Sequence, residues 1–298
     1  MKPIITLACI GLIMGNVAAQ DDLLADLESL EGPSIAEPVY ATFKGSKIVN
    51  LQTVELPAEG EGQFIISHRF AALNDRPLYN LFGLDNAQIR FEYSYSPSEV
   101  LNIGMGRSSG SKTYDAYMKA RLMTQQRRPE GHKGFVIPLT ATWYSSMTVV
   151  TTPFPDNIEH FASDRLAYVH QLMLARKVNH ALSLQLSPTL VHFNLVPTST
   201  DRNDNFGCGL GLRYKFTNRM AFTAETYIGN GPFENHYPAT SIGLDLETGG
   251  HVFQFHLTNA RSMADPQWML QNPGQWSQGD LFLGFNMSRV FNHKTIER

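Results

Sequence analysis

The sequence predicts an all-β protein, a single closed antiparallel up-and-down membrane β-barrel of about 12 strands, after a signal peptide and a short acidic N-terminal segment. Three observations predict this fold. Segments of about ten residues alternate between apolar and small or polar side chains, short and long connections alternate between the segments, and the chain starts with an export leader. A soluble sandwich would bury the apolar face against a second sheet, whereas a membrane barrel turns it to lipid.

Residues 1–19 are predicted to be a signal peptide that is cleaved after Ala19. Lys2 gives a basic start, and Ile4–Met14 is an apolar core shorter than the roughly 18 residues that a membrane helix needs. Because Cys9 lies in this leader, Cys208 is expected to be the single cysteine of the exported chain, which therefore has no intramolecular disulfide.

Residues 20–61 are predicted to be an N-terminal periplasmic segment. Its first part, 20–38, is acidic and has leucines at helical spacing, so it is either a flexible tether or a short helix that docks on a periplasmic partner or in the barrel mouth. Val39–Asn50 alternates poorly and is placed outside the barrel wall, because a thirteenth strand would put the two chain ends on opposite sides.

Residues 62–291 are predicted to form the barrel. The predicted strands are 62–72, 87–95, 99–107, 113–124, 134–148, 164–176, 181–195, 205–216, 219–228, 239–247, 251–260 and 280–291. Short links such as Lys177–His180 and Glu247–Gly250 alternate with long ones such as Leu73–Asn86 and Arg261–Gly279; Ser108–Lys112 and Gln125–Lys133 fit this pattern loosely. Because outer-membrane barrels have short periplasmic turns and long outer loops, both chain ends are expected in the periplasm.

Side-chain parity predicts which face of each strand meets lipid. Asn205–Phe216 is the clearest case, with aromatic residues and leucines on one face and Gly207, Gly209, Gly211 and Arg213 on the other. These glycines are expected to make room in the lumen for long side chains.

The strand 134–148 also follows the parity rule, with Phe135 assigned to the apolar face. Two predicted strands fit less well. Pro188 in 181–195 is expected to need a bulge or an edge. In 164–176, His170 and Arg176 share the parity of the leucines, so this strand is poorly sorted.

The last strand ends at the aromatic Phe291, before the polar C-terminal tail 292–298. An aromatic end of this kind is similar to the signal that barrel-assembly machinery reads, so that machinery and outer-membrane lipid are the expected partners. The formal net charge of −3 is too small to indicate nucleic acid. The histidines show no recognised ligand spacing, so no cofactor and no metal are predicted.

Charged residues on the inward parity are the candidate lumen-lining residues. They are Arg69, Arg90, Glu92, Asp115, Lys119, Arg121, Arg213, Lys215, Glu225, Asp245 and Glu247, together with His256. Isolated charges are costly in a lumen of low dielectric, so these groups must pair or stay hydrated. They line a polar pore or pocket, or they close the lumen with ion pairs.

The sequence does not predict catalysis, and we assign no catalytic residues. The chain has no G-x-S-x-G elbow, and Ser145 and His170 lie on outward parities, where they meet only by accident of strand register. An outer-membrane lipid hydrolase remains the enzymatic alternative.

Several phrases of the sequence resemble an uncharacterised family of Bacteroidota outer-membrane-like β-barrel proteins, a domain-of-unknown-function family. These phrases are Ile65–Phe70, Phe82–Ala87, Gly106–Ser109, Lys112–Asp115, His170–Leu172, Pro188–His192 and Glu247–Gln254. The resemblance covers roughly residues 40–291 and implies an envelope barrel without an assigned reaction.

The sequence therefore predicts an outer-membrane channel or small-solute transporter with a charged polar lumen. A closed barrel that acts as an anchoring or interaction module is the main alternative, and a soluble periplasmic barrel is a further one.

Overall fold

The computed structural model describes residues 36–129, 134–155 and 158–293. The predicted leader, the start of the acidic segment and the end of the C-terminal tail lie outside these residues.

The described residues form a closed barrel of twelve antiparallel strands, in which each strand pairs with the next and the last pairs with the first. The strands are β1 Glu61–Ala72, β2 Gln88–Ser98, β3 Leu101–Ser108, β4 Thr113–Met123, β5 Thr140–Val150, β6 Leu166–Lys177, β7 Leu182–Phe193, β8 Asp204–Lys215, β9 Met220–Gly229, β10 Ala239–Thr248, β11 His251–Thr258 and β12 Phe282–Asn292. The predicted all-β barrel is confirmed.

The connections divide the barrel into two ends. The short-turn end has the links 99–100, 178–181, 216–219 and 249–250, together with one longer link, 124–139. The long-loop end has the links 73–87, 151–165, 194–203, 230–238 and 259–281, together with one short link, 109–112. The chain enters β1 and leaves β12 at the short-turn end, as the alternation of link lengths predicts.

The wall turns its apolar side chains outwards. In β8, Phe206, Leu210 and Tyr214 are exposed, whereas Gly209, Gly211 and Arg213 are buried. Successive strand residues point to opposite faces, so the buried set faces the barrel interior.

Two predictions about the wall are wrong. The strand predicted at 134–148 begins only at Thr140, because Pro138 offers no amide to a ladder, and Phe135 lies before the strand and is exposed. Pro188 causes no bulge in β7. The ladder to β6 is interrupted between Gln171↔Thr189 and Leu174↔Leu186, but the register is the same on both sides of the gap.

Two further elements are a short sheet and a short α-helix. Glu37–Pro38 and Gln126–Arg127 pair as a separate two-stranded antiparallel sheet. Within the described ranges, no helix has the length and hydropathy needed to cross a bilayer. The α-helix α1, Asp265–Leu270, lies in the link between β11 and β12.

Two segments of the chain fill the barrel interior, and both are defined here for later use. The N-terminal plug is residues 43–55, and the loop plug is the link 259–281, which contains α1. The sequence assigned 43–55 to a periplasmic segment. Its residues are instead largely buried against inward-facing side chains of the wall, because its backbone groups find their hydrogen-bond partners there.

Candidate functional site

The N-terminal plug is a tight hairpin-like turn. Lys47 and Gln52 form a bridge, and the Ile48 amide donates to the Leu51 carbonyl at 2.9 Å. Ile48–Leu51 is therefore the tip of the plug. At its base, the Phe43 amide donates to the Glu55 carboxylate at 3.1 Å, which ties the two ends of the turn together.

Contacts around the whole circumference place the N-terminal plug in the lumen. Its hydrogen-bond partners are Gln63 and Arg69 on β1, Glu92 on β2, Lys119 on β4, Thr142 on β5, Gln185 on β7, Glu225 on β9, Gln254 on β11 and Asn286 on β12. A segment can reach strands on all sides of a barrel only from inside it.

Glu225 holds the tip of the plug. Its carboxylate accepts the amides of Val49, Asn50 and Leu51 at 3.0, 2.9 and 3.0 Å. The Ser241 hydroxyl donates to the same carboxylate at 3.2 Å. Three backbone donors in succession form a concave anion site, so the buried charge of Glu225 is compensated by amide dipoles from the plug.

Cationic side chains of the wall donate to oxygen atoms of the plug. The Lys119 ammonium group donates to the carbonyls of Ser46 and Thr53 at 3.0 and 3.3 Å. The Arg69 guanidinium donates to Asn50 Oδ1 at 2.9 Å. Both cations are fully buried, and neither forms an ion pair with a carboxylate in the described structure.

Glycines on β8 make space for the tip, as the sequence predicted. A Cβ atom on Gly209 would lie 2.6 Å from Leu51 Cδ1, and one on Gly211 would collide with Ile48 Cδ1. Any larger side chain at these positions therefore has to push aside the Leu51 or Ile48 side chain of the tip.

A chain of buried ions joins the plug to the wall. Lys47 Nζ lies 2.6 Å from Glu92 Oε2, and the same oxygen lies 2.9 Å from Arg90 Nη2. Arg90 also makes a two-pronged contact with Asp115, and the Tyr117 hydroxyl donates to Glu92 at 2.8 Å. Each charge has an opposite charge beside it, which offsets the cost of burial.

A second ion group lies towards the short-turn end. Arg213 Nη2 lies 3.0 Å from Glu247, and Arg213 Nε lies 4.0 Å from Asp245. Lys44, an exposed residue at the base of the plug, lies 3.0 Å from Glu247. The base of the plug therefore also has an electrostatic contact with the wall.

The loop plug is held mainly by apolar contacts. Trp268, Met269 and Leu270 of α1 are almost completely buried, and the Trp268 ring meets Tyr227 edge-on at 5.5 Å. They belong to one apolar cluster with inward-facing residues of β6 and β7, which are Ala167, Val169, Met173, Ala175, Val191 and Phe193. The two plugs share this cluster, since Ile48 and Leu51 also belong to it.

Asp265 adds a polar anchor at the start of α1. The Tyr144 hydroxyl donates to its carboxylate in a short hydrogen bond, and Trp268 Nε1 donates at 3.2 Å. Burial raises the pKa of Asp265, while the nearby positive charges of Lys47 and Arg90 oppose that rise.

A family model described as a membrane bound beta barrel domain (DUF5777) matches residues 43–291. The chain belongs to this family. The matched region begins with the N-terminal plug and ends with β12, so this family member has both plugs within the family domain. No curated protein matches the chain.

The chain is similar to several barrels of known structure. The NanC porin has 7% identity and a TM-score of 0.47, over 77% of this chain and 98% of that one. The KdgM porin in complex with a disordered oligogalacturonate has 8% identity and a TM-score of 0.45, over 78% and 98%. An outer membrane channel from Pseudomonas putida F1 has 13% identity and a TM-score of 0.45, over 80% and 97%.

The twelve candidate residues selected from the sequence all lie on barrel strands of this family member. Eight are buried, namely Arg69, Arg90, Glu92, Lys119, Arg213, Glu225, Asp245 and His256. Four are partly buried, namely Asp115, Arg121, Lys215 and Glu247. The structure brings Arg90, Glu92 and Asp115 into one group and Arg213, Asp245 and Glu247 into another. Arg69 and His256 are near each other, since a Cβ atom on Gly284 would contact both side chains.

Sequence reasoning missed the residues that fill the lumen. Lys47, Asp265 and Trp268 carry no strand pattern, because they lie on the plugs and not on the wall. One available signal was the poor sorting of β6, whose inward residues Val169 and Met173 are apolar because α1 packs on them.

Ser145 and His170 meet on the outer face of the wall. They are direct partners in the register of β5 and β6, and Ser145 Oγ lies 3.0 Å from His170 Nδ1. Trp143 stacks near the imidazole at 6.0 Å. No carboxylate or amide side chain hydrogen-bonds to His170 within the described ranges, so the pair lacks an orienting third group there.

Proposed function

We propose that this protein is an outer-membrane β-barrel that passes small solutes through its lumen, and that the two plugs close the lumen in the state described here. One observation carries the proposal. The charged wall directs its hydrogen bonds to the backbone of a separate chain segment, the N-terminal plug, and that segment could leave the lumen without breaking the wall.

Barrel width supports a closable pathway. In a barrel of about eight strands, side chains alone fill the interior, whereas wider barrels leave room for a channel or for inserted chain. Here the extra room is occupied by plug residues 43–55 and by α1.

The chemistry of the wall supports the same proposal. A permanently closed interior is as stable or more stable when it is apolar, because buried charges must recover a large desolvation cost. Water entering around a displaced plug would rehydrate Lys119, Arg69 and Glu225. We therefore propose that the twelve residues selected from the sequence line the opened pathway.

The opened lumen would carry a net positive excess on β1–β4, where Arg69, Arg90, Lys119 and Arg121 outnumber Glu92 and Asp115, and a net negative excess on β8–β10, where Glu225, Asp245 and Glu247 outnumber Arg213 and Lys215. Arg69 on β1 and Lys119 and Arg121 on β4 would lose their contacts with the plug. Glu225 on β9, and Asp245 and Glu247 on β10, supply acidic groups on other strands. Separated walls of opposite charge suit polar or zwitterionic solutes better than apolar ones.

The outer-membrane location rests on the predicted export leader, the outward apolar faces and the division into short turns and long loops. Fractionation tests it. The protein should remain with outer membranes and need detergent for release, and release by osmotic shock would contradict the location. We also propose that the barrel-assembly machinery recognises the C-terminal strand and that residues 20–38 bind a periplasmic partner.

Conductance in planar bilayers tests the pathway. The full chain should be closed most of the time, whereas a variant that lacks residues 43–55 should conduct steadily. A truncation of residues 20–38 that keeps the plug is the matched control and should stay closed. Heat-modifiable migration in gels would first show that each variant forms a barrel.

A deletion variant that folds but never conducts would contradict the transport proposal. It would favour the alternative of a closed anchoring barrel, in which the loops 73–87 and 259–281 bind a partner. Deleting either loop should then abolish the capture of that partner in a pull-down experiment.

One contact favours a second candidate, a lipid hydrolase, namely the hydrogen bond between Ser145 and His170. We propose that the protein is not an enzyme, because the pair has no third group to orient the imidazole among the residues that the structure describes and faces outwards from the wall. Release of fatty acid from vesicles that disappears in Ser145→Ala, but not in Ser163→Ala, would overturn this.

A further inference from the structure

A pocket of about 410 Å³ opens at the short-turn end of the barrel, between the base of the N-terminal plug and the wall. Its volume lies within the range that small-molecule sites have in proteins. Lys44 of the plug forms one side of the pocket, and the turn Gly249–Gly250 lies at its edge. No atom lies within 4 Å of a Cβ atom placed on either glycine, so this edge leaves the pocket open to solvent.

Strand register sets four residues of the lining side by side. The Arg219 carbonyl, just before β9, accepts the Glu247 amide of β10 at 2.8 Å. Glu247 pairs with Val252 of β11, and Val252 pairs with Ser288 of β12. Neighbouring strands are about 4.8 Å apart, so Arg219 and Ser288 stand roughly 14 Å apart along the wall. Even with the reach of the arginine side chain, a ligand that contacts both ends must be several atoms long.

One end of the pocket carries surplus positive charge. Arg219 is exposed, and its guanidinium makes no ion pair and no hydrogen bond with a described residue. Lys44 and Arg213 each lie 3.0 Å from an oxygen of Glu247, so this carboxylate is already compensated. The three cations outnumber Glu247 and the nearby Asp245, and the surplus favours an anionic group at this end.

The other end of the pocket offers neutral hydrogen-bonding groups. Gln63 and Ser288 are only 6% and 7% exposed. Gln63 Oε1 accepts the Ser46 hydroxyl at 2.7 Å, but neither Gln63 Nε2 nor the Ser288 hydroxyl has a partner among the described residues. Both atoms keep accessible surface and both residues line the pocket, so they can bind a molecule in it. Hydroxyl groups suit them, because a hydroxyl both accepts and donates hydrogen bonds.

Small apolar side chains separate the two ends. Val252 lies between Glu247 and Ser288 in the register, and Val290 also lines the pocket. The valines leave space and offer no polar group, so the carbon chain of a ligand can pack on them.

We propose that this pocket binds a small hydroxylated carboxylate. Its carboxylate group lies at Lys44 and Arg219, and its hydroxyl groups form hydrogen bonds with Gln63 and Ser288. Because Lys44 belongs to the N-terminal plug, the bound anion contacts the segment that closes the lumen as well as the wall. The site stands apart from the transport proposal, because binding can be measured in a protein that never conducts.

Saturation-transfer NMR of the full chain in micelles of an uncharged polyoxyethylene detergent tests the site with three six-carbon probes. They are gluconate, sorbitol, which has a hydroxyl group in place of the carboxylate, and hexanoate, which has no hydroxyl groups. Gluconate should bind roughly tenfold more tightly than sorbitol, the worth of a hydrogen bond to a charged group. It should bind roughly fivefold more tightly than hexanoate, the worth of about one neutral hydrogen bond.

Two variants and a matched control separate the two ends of the pocket. Arg219→Gln should weaken the binding of gluconate and hexanoate roughly fivefold and leave sorbitol unchanged. Ser288→Ala should weaken gluconate and sorbitol roughly threefold and leave hexanoate unchanged. Arg176→Gln is the control and should change none of the three, because Arg176 is also exposed at the short-turn end but lies on β6, outside this pocket.

Both variants should fold, since neither replaced side chain forms a hydrogen bond with another described residue, and heat-modifiable migration in gels checks this. A loss of affinity for all three probes in either variant would show a structural role only and would overturn the proposal. Equal affinity of the wild-type protein for gluconate and sorbitol, unchanged affinities in Arg219→Gln, or the same loss in Arg176→Gln would also overturn it. So would a signal that is identical in protein-free micelles, because it would show partition into detergent only.

Discussion

The two plugs occupy the same lumen and share one apolar cluster, but their other contacts with the wall differ in kind. The N-terminal plug offers mostly backbone atoms, and the specific contacts come from wall side chains such as Glu225, Lys119 and Gln254. The loop plug offers side chains, above all Trp268, to an apolar part of the wall. The difference teaches that side chains of the wall determine how firmly the N-terminal plug is held. The firmness with which the loop plug is held depends on the plug's own side chains.

The largest effect is expected from Trp268→Ala, which should undock the loop plug and leave the wall ladders intact. Loss of a buried aromatic side chain costs about 3–5 kcal/mol. Hydrogen exchange of amides 265–270 measures it and should accelerate strongly. Trp143→Ala on the outward face is the control, and equal acceleration in both variants would break the comparison.

A smaller effect is expected from Glu225→Ala, which leaves the amides of Val49, Asn50 and Leu51 without their acceptor. The expected cost is about 1–3 kcal/mol, because water entering the lumen can replace part of the contact. Exchange should accelerate at these three amides and not in α1.

Glu99→Ala is the control for Glu225→Ala, since Glu99 is exposed at the turn between β2 and β3. If amides 265–270 accelerated as much as the tip amides in Glu225→Ala, the two plugs would be one cooperative unit and the comparison would fail.

Gly211→Ala should push the Ile48 side chain aside and loosen the tip of the N-terminal plug, at a cost of about 1 kcal/mol. The measurement is protease sensitivity of the plug, which should rise. Gly249→Ala is the matched control, because no atom lies within 4 Å of a Cβ placed there. Equal sensitivity in both variants would show that the tip does not need the space above Gly211.

The smallest effect concerns pH and Asp265. Its raised pKa means that the docked loop plug favours the protonated carboxyl, so docking is strongest at low pH and weakens as the pH rises through the raised pKa. Positive charge on Lys47 and Arg90 limits this shift, whereas negative charge on Asp115 adds to it.

Asp265→Asn should make docking nearly independent of pH, because the amide imitates the protonated form. Trp268 fluorescence reports it in a background with Trp143→Phe and Trp276→Phe. A pH dependence that persists in the variant would assign the titration to another group.

The wall could be predicted from the sequence because lipid imposes a simple rule on it. Residues such as Phe206 and Leu210 alternate with Gly209 and Gly211, and the link lengths give the direction of each strand. The start of β5 was misjudged, because apolar parity continues through Phe135 although Pro138 ends the ladder.

The lumen contents could not be predicted in the same way. Val49, Asn50 and Leu51 bind through their amides, and every residue except proline has an amide, so no side-chain pattern marks the tip. The grouping of Arg90, Glu92 and Asp115 depends on strand register, which parity alone does not fix.

The position of the N-terminal plug in the chain has a consequence for biogenesis. Residues 43–55 are synthesised before every barrel strand, but several of their partners, including Glu225, Gln254 and Asn286, belong to the last four strands. Contacts between such distant parts of a chain form late in folding. The nascent plug therefore cannot complete its contacts until β12 pairs with β1, so a segment that is made before every barrel strand is the last to be fully seated.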